Sequence, residues 1–214
     1  MIIAFDFDGT LIDSMPLWRN LGRSYLEGRG LAFVPEIREQ IKSITLEAAA
    51  ALFKDYYGLK ESTEEIYWDM AKIIERGYRE ELPLKPYARQ VLESLQEKHS
   101  LLLATATRDD LLKPALDRFD LWGYFQGIYT AASVGKLKND PDYYRALVER
   151  LGIAPGELIL VDDAEYALEA AKEAGVFTIG IYDELHGKNW DRIVAASQHT
   201  VQNLKELMEL KLFL

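Results

Sequence analysis

The stretch Ile2–Thr10, with the sequence IIAFDFDGT, decides the predicted fold. Its apolar half, Ile2–Phe5, is typical of a short buried β-strand, and it is followed by two carboxylates and a glycine. On an extended chain Asp6 and Asp8 would point to the same face, and Gly9 permits a turn that breaks this alternation. Because functional side chains gather at the carboxyl ends of parallel strands, the two carboxylates are candidates for a site.

Short apolar runs of the same kind recur along the second half of the chain. Together with the first run, they predict strands near residues 2–6, 100–105, 127–131, 158–162 and 176–180. Helical patterns separate the later strands, near residues 87–98, 109–119, 141–151 and 164–174. This alternation predicts an α/β fold, with a Rossmann-like parallel-sheet core and helices on both faces. The run 176–180 is expected to form an edge strand, and 203–212 an amphipathic helix on the sheet.

Residues 11–84 do not follow this alternation. They contain no convincing strand, but they contain helical stretches near residues 15–28, 35–42, 45–56 and 63–79. Helices inserted after the first strand predict a second domain. We expect residues 14–84 to form a small α-helical cap domain, and residues 1–13 and 85–214 to form the core. An insertion joined by two linkers can hinge, which makes this block a candidate lid.

The composition narrows the range of functions. The chain has 214 residues, a formal net charge of -10 and no cysteine. Nucleic acids and anionic membranes both favour positive surfaces, so neither is an expected partner. Disulfide and thiolate chemistry is excluded, no signal-peptide pattern is visible, and no apolar stretch reaches the length of a membrane span. We expect a cytoplasmic protein that acts on a small molecule, with a monomer as the default state.

Residues that carry chemistry follow three of the later strand candidates. Thr105 ends the second candidate strand, Lys138 follows the third, and Asp162 and Asp163 end the fourth. In a parallel sheet these positions lie at the same edge as the two carboxylates after the first strand. The sequence therefore predicts one site assembled from the ends of several strands.

With these four motifs in chain order, the sequence resembles the haloacid dehalogenase-like (HAD) hydrolases. The resemblance spans nearly the whole chain and is to the phosphatase branch with a helical cap after the first strand, which includes phosphoglycolate phosphatases and β-phosphoglucomutases. It implies a Mg2+-dependent phosphatase that hydrolyses a small phosphorylated metabolite through an aspartyl-phosphate intermediate. It does not identify the substrate: phosphoglycolate, sugar phosphates, nucleotides, pyrophosphate and flavin mononucleotide all stay candidates.

The resemblance also implies roles for the motif residues. Asp6 would be the nucleophile and Asp8 the general acid and base, which protonates the leaving oxygen and later deprotonates water. Dehalogenating relatives generally lack the second Asp, because a halide leaves without a proton, so Asp8 points to phosphate esters. Thr105 and the backbone amide of Ala106 would bind a phosphate oxygen. Lys138 would hold the nucleophile and the phosphoryl group together.

The implied cofactor is Mg2+, which prefers oxygen ligands. Its expected ligands are Asp6, the backbone carbonyl of Asp8, and Asp163. The family pattern places Gly directly before the last of these and a second acid four residues on, where this chain has Asp162 and Ala167. Sugar phosphomutases carry paired acids that resemble this variant. Asp162 therefore either contributes to the metal site or caps the helix that follows.

Other polar residues receive simpler interpretations. Lys136 competes with Lys138 for the role of the family lysine, and we interpret it as a solvated loop residue. His99, His186 and His199 have no spacing typical of metal ligands, and we interpret them as incidental.

Two alternatives to a phosphatase remain. A sugar phosphomutase shares the cap type, but such mutases carry a histidine and an arginine in the cap where this chain has Trp18 and Leu46. A non-catalytic binding protein of the same fold would be expected to lack at least one motif residue, and none is missing. Lys42, Ser43 and Thr45 lie in a break between cap helices, where substrate contact and simple exposure to solvent both stay open.

Overall fold

The computed structural model of the protein describes residues 1–41 and 44–213. The chain divides into two compact units, one formed by Met1–Ser14 with Leu82–Leu214 and the other by Met15–Glu81. Among the described residues, no helix combines the length and the apolar composition that crossing a bilayer requires.

The larger unit is built on a parallel β-sheet, which confirms the predicted α/β fold. Its strands within the described residues are β1 (Ile2–Phe5), β2 (Ser100–Thr105), β3 (Gly127–Thr130), β4 (Leu158–Asp162), β5 (Phe177–Ile181) and β6 (His199–Val201). They lie side by side in the order β3-β2-β1-β4-β5-β6. Every neighbouring pair is parallel.

Helices fill the connections between the strands. In chain order the α-helices are α1 (Met15–Glu27), α2 (Pro35–Ile41), α3 (Leu46–Tyr57), α4 (Thr63–Arg76), α5 (Ala88–Gln96), α6 (Asp109–Arg118), α7 (Ala131–Val134), α8 (Pro141–Leu151), α9 (Glu165–Glu173), α10 (Trp190–Ala196) and α11 (Leu204–Met208). A π-helical turn follows α4 at Gly77–Glu81, and 3-10 helices span Trp122–Tyr124, Pro155–Glu157 and Glu184–Asn189. The helices predicted between the core strands all occur within two residues of their expected bounds.

The first strand lies in the middle of the sheet. Ile2 is in register with Ser100 of β2 on one side and with Leu158 of β4 on the other. Residues 3–5 have no exposed surface. A strand covered on both faces requires apolar side chains at every position, which explains the unbroken apolar run. This arrangement places Asp6 at the centre of the carboxyl edge of the sheet.

One face of the sheet carries a continuous apolar core. Ala4, Leu102 and Leu160 lie at the same level of the register. They belong to one buried cluster with Tyr144 of α8 and Leu168 of α9. The helices that follow β3 and β4 thus fix the central strands, whose ends carry the candidate site.

The carboxyl-terminal part of this unit differs from the prediction. The run 176–180 does not form an edge strand, because β6 pairs in parallel with β5 and Ile179 is in register with His199. β6 has three residues and no apolar run, so hydrophobic periodicity gives no signal for it. The predicted helix 203–212 is also wrong in length, since α11 ends at Met208.

All the regular secondary structure described in the smaller unit is helical. α4 packs against both α1 and α3, and Tyr25 stacks on Phe53 with the ring centroids 5.8 Å apart. The hydroxyl of Thr45 accepts a hydrogen bond at the first turn of α3, so this residue is a helix cap. Lys42 and Ser43 lie outside the described residues. The role of the unit as a lid stays a prediction.

Candidate active site

The turn after β1 carries the first two carboxylates. The backbone amide of Asp6 still donates to a carbonyl of β4, at 2.9 Å, so this residue continues the strand. The chain then reverses, because the carbonyl of Phe7 accepts hydrogen bonds from the amides four and five residues later. Gly9 has φ of 77°, and a Cβ atom there would overlap the carboxyl group of Asp163. Both the backbone conformation and the available space therefore require glycine at this position.

The ammonium of Lys138 joins three strand ends. Its Nζ donates to Asp6 Oδ1 at 2.8 Å, to Asp162 Oδ2 at 2.6 Å and to the carbonyl of Ala104 at 2.9 Å. An ammonium has three protons, so these acceptors satisfy it fully. Lys138 is 3% exposed and Asp162 is fully buried. Lys136, in contrast, is exposed and lies beside the carboxylate of Asp142.

Burial and charge act together on these groups. Burial raises the pKa of Asp6 well above its usual value, and the ammonium of Lys138 only partly opposes this effect. Burial disfavours the charged form of Lys138, but the carboxylates of Asp162 and Asp6 outweigh it and raise the pKa of the lysine. Burial also raises the pKa of Asp163. Lys138 pairs with two of the three buried carboxylates, and a further cation would stabilise the group.

Asp8 is held by two hydroxyl groups. Ser14 Oγ donates to Asp8 Oδ1 at 2.5 Å, and Thr107 Oγ1 donates to Oδ2 at 2.7 Å. The amide of Thr107 donates to the hydroxyl of Thr105 at 3.1 Å, which folds the loop after β2 toward the strand end. Thr105 is buried, and Ala106 after it is exposed. Their phosphate-binding roles stay predictions.

Sequence reasoning missed two of these contacts. Ser14 and Thr107 are short hydroxyl residues in turns, and nothing in their spacing distinguishes them from ordinary loop residues. Their only sequence signal is that each lies within a few residues of a predicted motif.

Asp163 is held on both of its oxygens. Thr10 Oγ1 donates to Oδ1 at 3.1 Å, and Nδ1 of His186 lies 2.9 Å from Oδ2. The interpretation of His186 as incidental is therefore wrong. The histidine lies in the 3-10 helix after β5, and no local spacing reveals a partner that only the fold brings near.

Asp162 has a different environment from its neighbour. One oxygen accepts from Lys138, and the other accepts from the backbone amide of Ala164 at 2.8 Å. Ala164 directly precedes α9. Asp162 thus ties the lysine to the start of that helix, in addition to lying near the other carboxylates.

A metal ion could be held at this edge of the sheet. Among the described residues, carboxylate oxygens of Asp6, Asp162 and Asp163 lie within 4.8 Å of one another, and all three residues are buried. The donors are all oxygen atoms, which suits Mg2+. Buried carboxylates gain most from such an ion, because they are already deprived of solvent.

The fold and this edge define the class of the protein. The family model described as haloacid dehalogenase-like hydrolase matches residues 3–181. The chain belongs to this family of enzymes, as its four motifs indicated.

The chain is similar to proteins that are named as phosphatases and to one that is named as a phosphomutase. The chain is 29% identical over 188 residues to a phosphorylated carbohydrates phosphatase of Thermotoga maritima, covering 87% of this chain and 86% of the relative. It is 27% identical over 237 aligned positions to a phosphoglycolate phosphatase of Shigella boydii, covering 96% of this chain and 90% of the relative. A solved structure from Thermotoga maritima, provisionally named β-phosphoglucomutase, has a TM-score of 0.77 and 27% identity, covering 97% of this chain and 96% of that one.

Proposed function

We propose that this chain is a Mg2+-dependent phosphatase that hydrolyses a small phosphorylated metabolite through an aspartyl-phosphate intermediate. The observation that carries the proposal is the buried ion-paired group in which Lys138 bridges Asp6 and Asp162. Asp8, on the same turn as Asp6, is positioned separately by two hydroxyl groups. A nucleophile and an independent acid–base group suit a two-step displacement at phosphorus.

In the first step Asp6 attacks phosphorus. Its Oδ1 is bound to Lys138, which leaves Oδ2 to form the new bond. The bond between phosphorus and the leaving oxygen breaks, and Asp8 gives that oxygen a proton, so the product leaves as a neutral alcohol. The protons of Lys138 are engaged by protein acceptors, and its positive charge stabilises the negative phosphoryl oxygens through space.

In the second step water hydrolyses the aspartyl phosphate. Asp8, now unprotonated, accepts a proton from the water while the water oxygen attacks phosphorus. The bond from phosphorus to Asp6 breaks, which restores both carboxyl groups to their starting forms. Ser14 and Thr107 hold the Asp8 carboxylate during this step, because both hydroxyls donate to it.

Asp6, Asp163 and the backbone carbonyl of Asp8 would hold Mg2+. The buried all-oxygen carboxylate group supports this assignment. When bound, the ion offsets the negative charge of the carboxylates and of the phosphoryl group. Asp162 connects Lys138 to the backbone amide at the start of α9, and we assign this residue to orienting the lysine.

The relatives support a substrate class. Those named above are a phosphatase of phosphorylated carbohydrates and a phosphatase of phosphoglycolate. We propose a substrate of this size, a phosphorylated sugar or a phosphorylated small acid. The formal net charge of -10 supports a small-molecule substrate over a nucleic acid.

A sugar phosphomutase is the second candidate. The similarity to the provisionally named β-phosphoglucomutase favours it. Trp18 and Leu46 oppose it, because they stand where the mutases that this chain resembles carry a histidine and an arginine. A bisphosphate intermediate needs cationic groups for its second phosphate, and these two residues supply none.

The deciding experiment is phosphate release from phosphoglycolate, sugar phosphates and p-nitrophenyl phosphate, with Mg2+ and with a chelator. Metal-dependent release that favours one metabolite supports the phosphatase. A parallel incubation with β-glucose 1-phosphate and its bisphosphate should yield no glucose 6-phosphate. Substantial product there, without net phosphate release, would support the mutase instead.

A further inference from the structure

The feature that the proposed mechanism leaves unused is the contact between His186 and Asp163. Nδ1 of the histidine lies 2.9 Å from Asp163 Oδ2. With Asp163 ionised, as the proposed Mg2+ ligand must be, its oxygens can only accept hydrogen bonds, so Nδ1 carries the proton and donates it. The Asp163 side chain is 1% exposed and the imidazole is 25% exposed. The contact is therefore largely screened from water.

The segment that presents His186 is anchored at several points. The Oδ1 atom of Asp183 accepts from the amide of Leu185 at 2.8 Å, and its backbone carbonyl accepts from the amide of His186 at 3.1 Å. The ammonium of Lys85 donates to Asp183 Oδ2 at 2.5 Å. The imidazole is thus held in place by its own short helix before any ligand arrives.

A second metal site is not what this geometry favours. Asp163, Asp183 and His186 do lie close enough together to hold an ion. The ammonium of Lys85, however, already occupies one oxygen of Asp183, and a backbone amide occupies the other. A cation beside that ammonium would be repelled.

We propose that His186 is a positioning residue that fixes the orientation of Asp163 as a metal ligand; this inference rests on the proposed Mg2+ site. Thr10 holds Oδ1 and His186 holds Oδ2, so the carboxylate cannot rotate. Each carboxylate oxygen has two lone pairs, and one on each stays available to a cation. Hydrogen bonds to a ligand from outside the metal's own coordination sphere commonly set its affinity.

This role also accounts for a departure in the sequence. The family pattern that this chain resembles has a second acid four residues after the metal-binding Asp, and here that position is Ala167, which is fully buried. An alanine offers no polar atom at this point. His186, from the 3-10 helix after β5, provides a polar contact to Asp163 from outside the motif.

The test is Mg2+ affinity, measured by calorimetry on the full chain without substrate. His186→Ala should weaken Mg2+ binding about 10- to 100-fold, the range for loss of such outer contacts. His186→Asn should keep most of the affinity, because its amide nitrogen can donate from nearly the same place as Nδ1. His199→Ala, which removes an exposed histidine, is the control and should bind as the unaltered chain does. Circular dichroism verifies that each variant is folded.

Three outcomes would overturn the proposal. The first is unchanged Mg2+ affinity in folded His186→Ala, and the second is failure of His186→Asn to restore affinity. The third is absence of Mg2+ binding by the unaltered chain, which would remove the metal site as well. Since no substrate is present, a lack of phosphatase activity with the affinity pattern intact would contradict the proposed function alone.

Discussion

The Lys138 ammonium and the Asp162 carboxylate form a buried ion pair with 2.6 Å between Nζ and Oδ2. The other oxygen of Asp162 is fixed by the backbone amide of Ala164. The position of the cation is therefore set by the main chain at the start of α9. Asp6 receives its charge partner in a geometry that exists before substrate binds.

Loss of this lysine should damage both stability and activity. Lys138→Met leaves Asp6 and Asp162 buried without their shared cation, and removing one partner of a buried pair costs about 3–5 kcal/mol. We expect that decrease in the free energy of urea unfolding, together with loss of phosphate release. Lys136→Met is the matched control, because Lys136 is exposed and should change stability by less than about 0.5 kcal/mol. Equal effects of the two substitutions would contradict the assignment of the buried lysine.

Asp6→Asn should abolish turnover and leave the chain folded. An amide oxygen is a poor nucleophile and cannot form a stable acyl phosphate, so we expect phosphate release to fall by about a thousandfold or more. Asp13→Asn removes a nearby carboxylate that is 47% exposed and should keep most of the activity. Retention of most activity by folded Asp6→Asn would rule out the covalent mechanism.

Asp8→Asn should affect substrates differently according to their leaving group. For a sugar phosphate the leaving alkoxide needs a proton, so loss of the general acid should lower kcat by about 100- to 10,000-fold. Nitrophenolate leaves without that help. With p-nitrophenyl phosphate the first step should survive while hydrolysis of the intermediate stalls, which gives a burst of about one nitrophenolate per enzyme. Rapid-quench measurements detect this burst, and equal loss of both steps for both substrates would argue against the assigned role.

Two adjacent core tyrosines provide a test of the apolar cluster beneath the site. Tyr143 and Tyr144 are both fully buried. The hydroxyl of Tyr143 donates to the carbonyl of Tyr129 at 2.6 Å, whereas that of Tyr144 has no partner among the described residues. Tyr143→Phe should lower the free energy of unfolding by about 1 kcal/mol, and Tyr144→Phe should leave it unchanged or raise it. Denaturant titration measures the free energy of unfolding of the two variants. A larger loss in Tyr144→Phe than in Tyr143→Phe would show that the hydrogen bond of Tyr143 is misassigned.

His99 should make stability depend on pH. Both ring nitrogens are buried and lack partners among the described residues, and burial lowers the pKa of the imidazole. As the pH falls, the unfolded chain therefore takes up a proton on His99 before the folded chain does. The contribution of His99 to stability is complete above about pH 6.5 and is lost as the pH falls through the lower pKa of the folded state. In His99→Phe the new ring would take the place of the imidazole against Phe213. The variant has no imidazole to protonate, so it should not lose stability in this way at low pH. As the pH is lowered from about 7.5 to about 5, the free energy of unfolding of His99→Phe should increase relative to that of the unaltered chain. A pH-independent difference between the two proteins would contradict the assignment.

The sequence anticipates those parts of the structure that local patterns encode. The apolar run before Asp6 predicts a strand buried on both faces, and Lys138 is brought to Asp6 as the order of motifs indicates. The contacts of Asp8 and Asp163 are different, because Thr107 and His186 reach them from segments that follow other strands. Side chains paired only by tertiary structure leave no periodicity to detect.

The missed edge strand has a related cause. β6 is short and half-exposed, and its pairing with β5 depends on α10 returning the chain to the sheet. Propensity is a weak guide for such strands, since packing against neighbours decides them.

The central place of β1 also determines when the site can form. Ile2 is synthesised well before its partners Ser100 and Leu158. Pairings this distant along the chain are slow to form and leave the early strand exposed meanwhile. The nascent chain must therefore carry Asp6 on an incompletely paired strand until β4 has left the ribosome. Chaperone demand during translation should be greatest before that point.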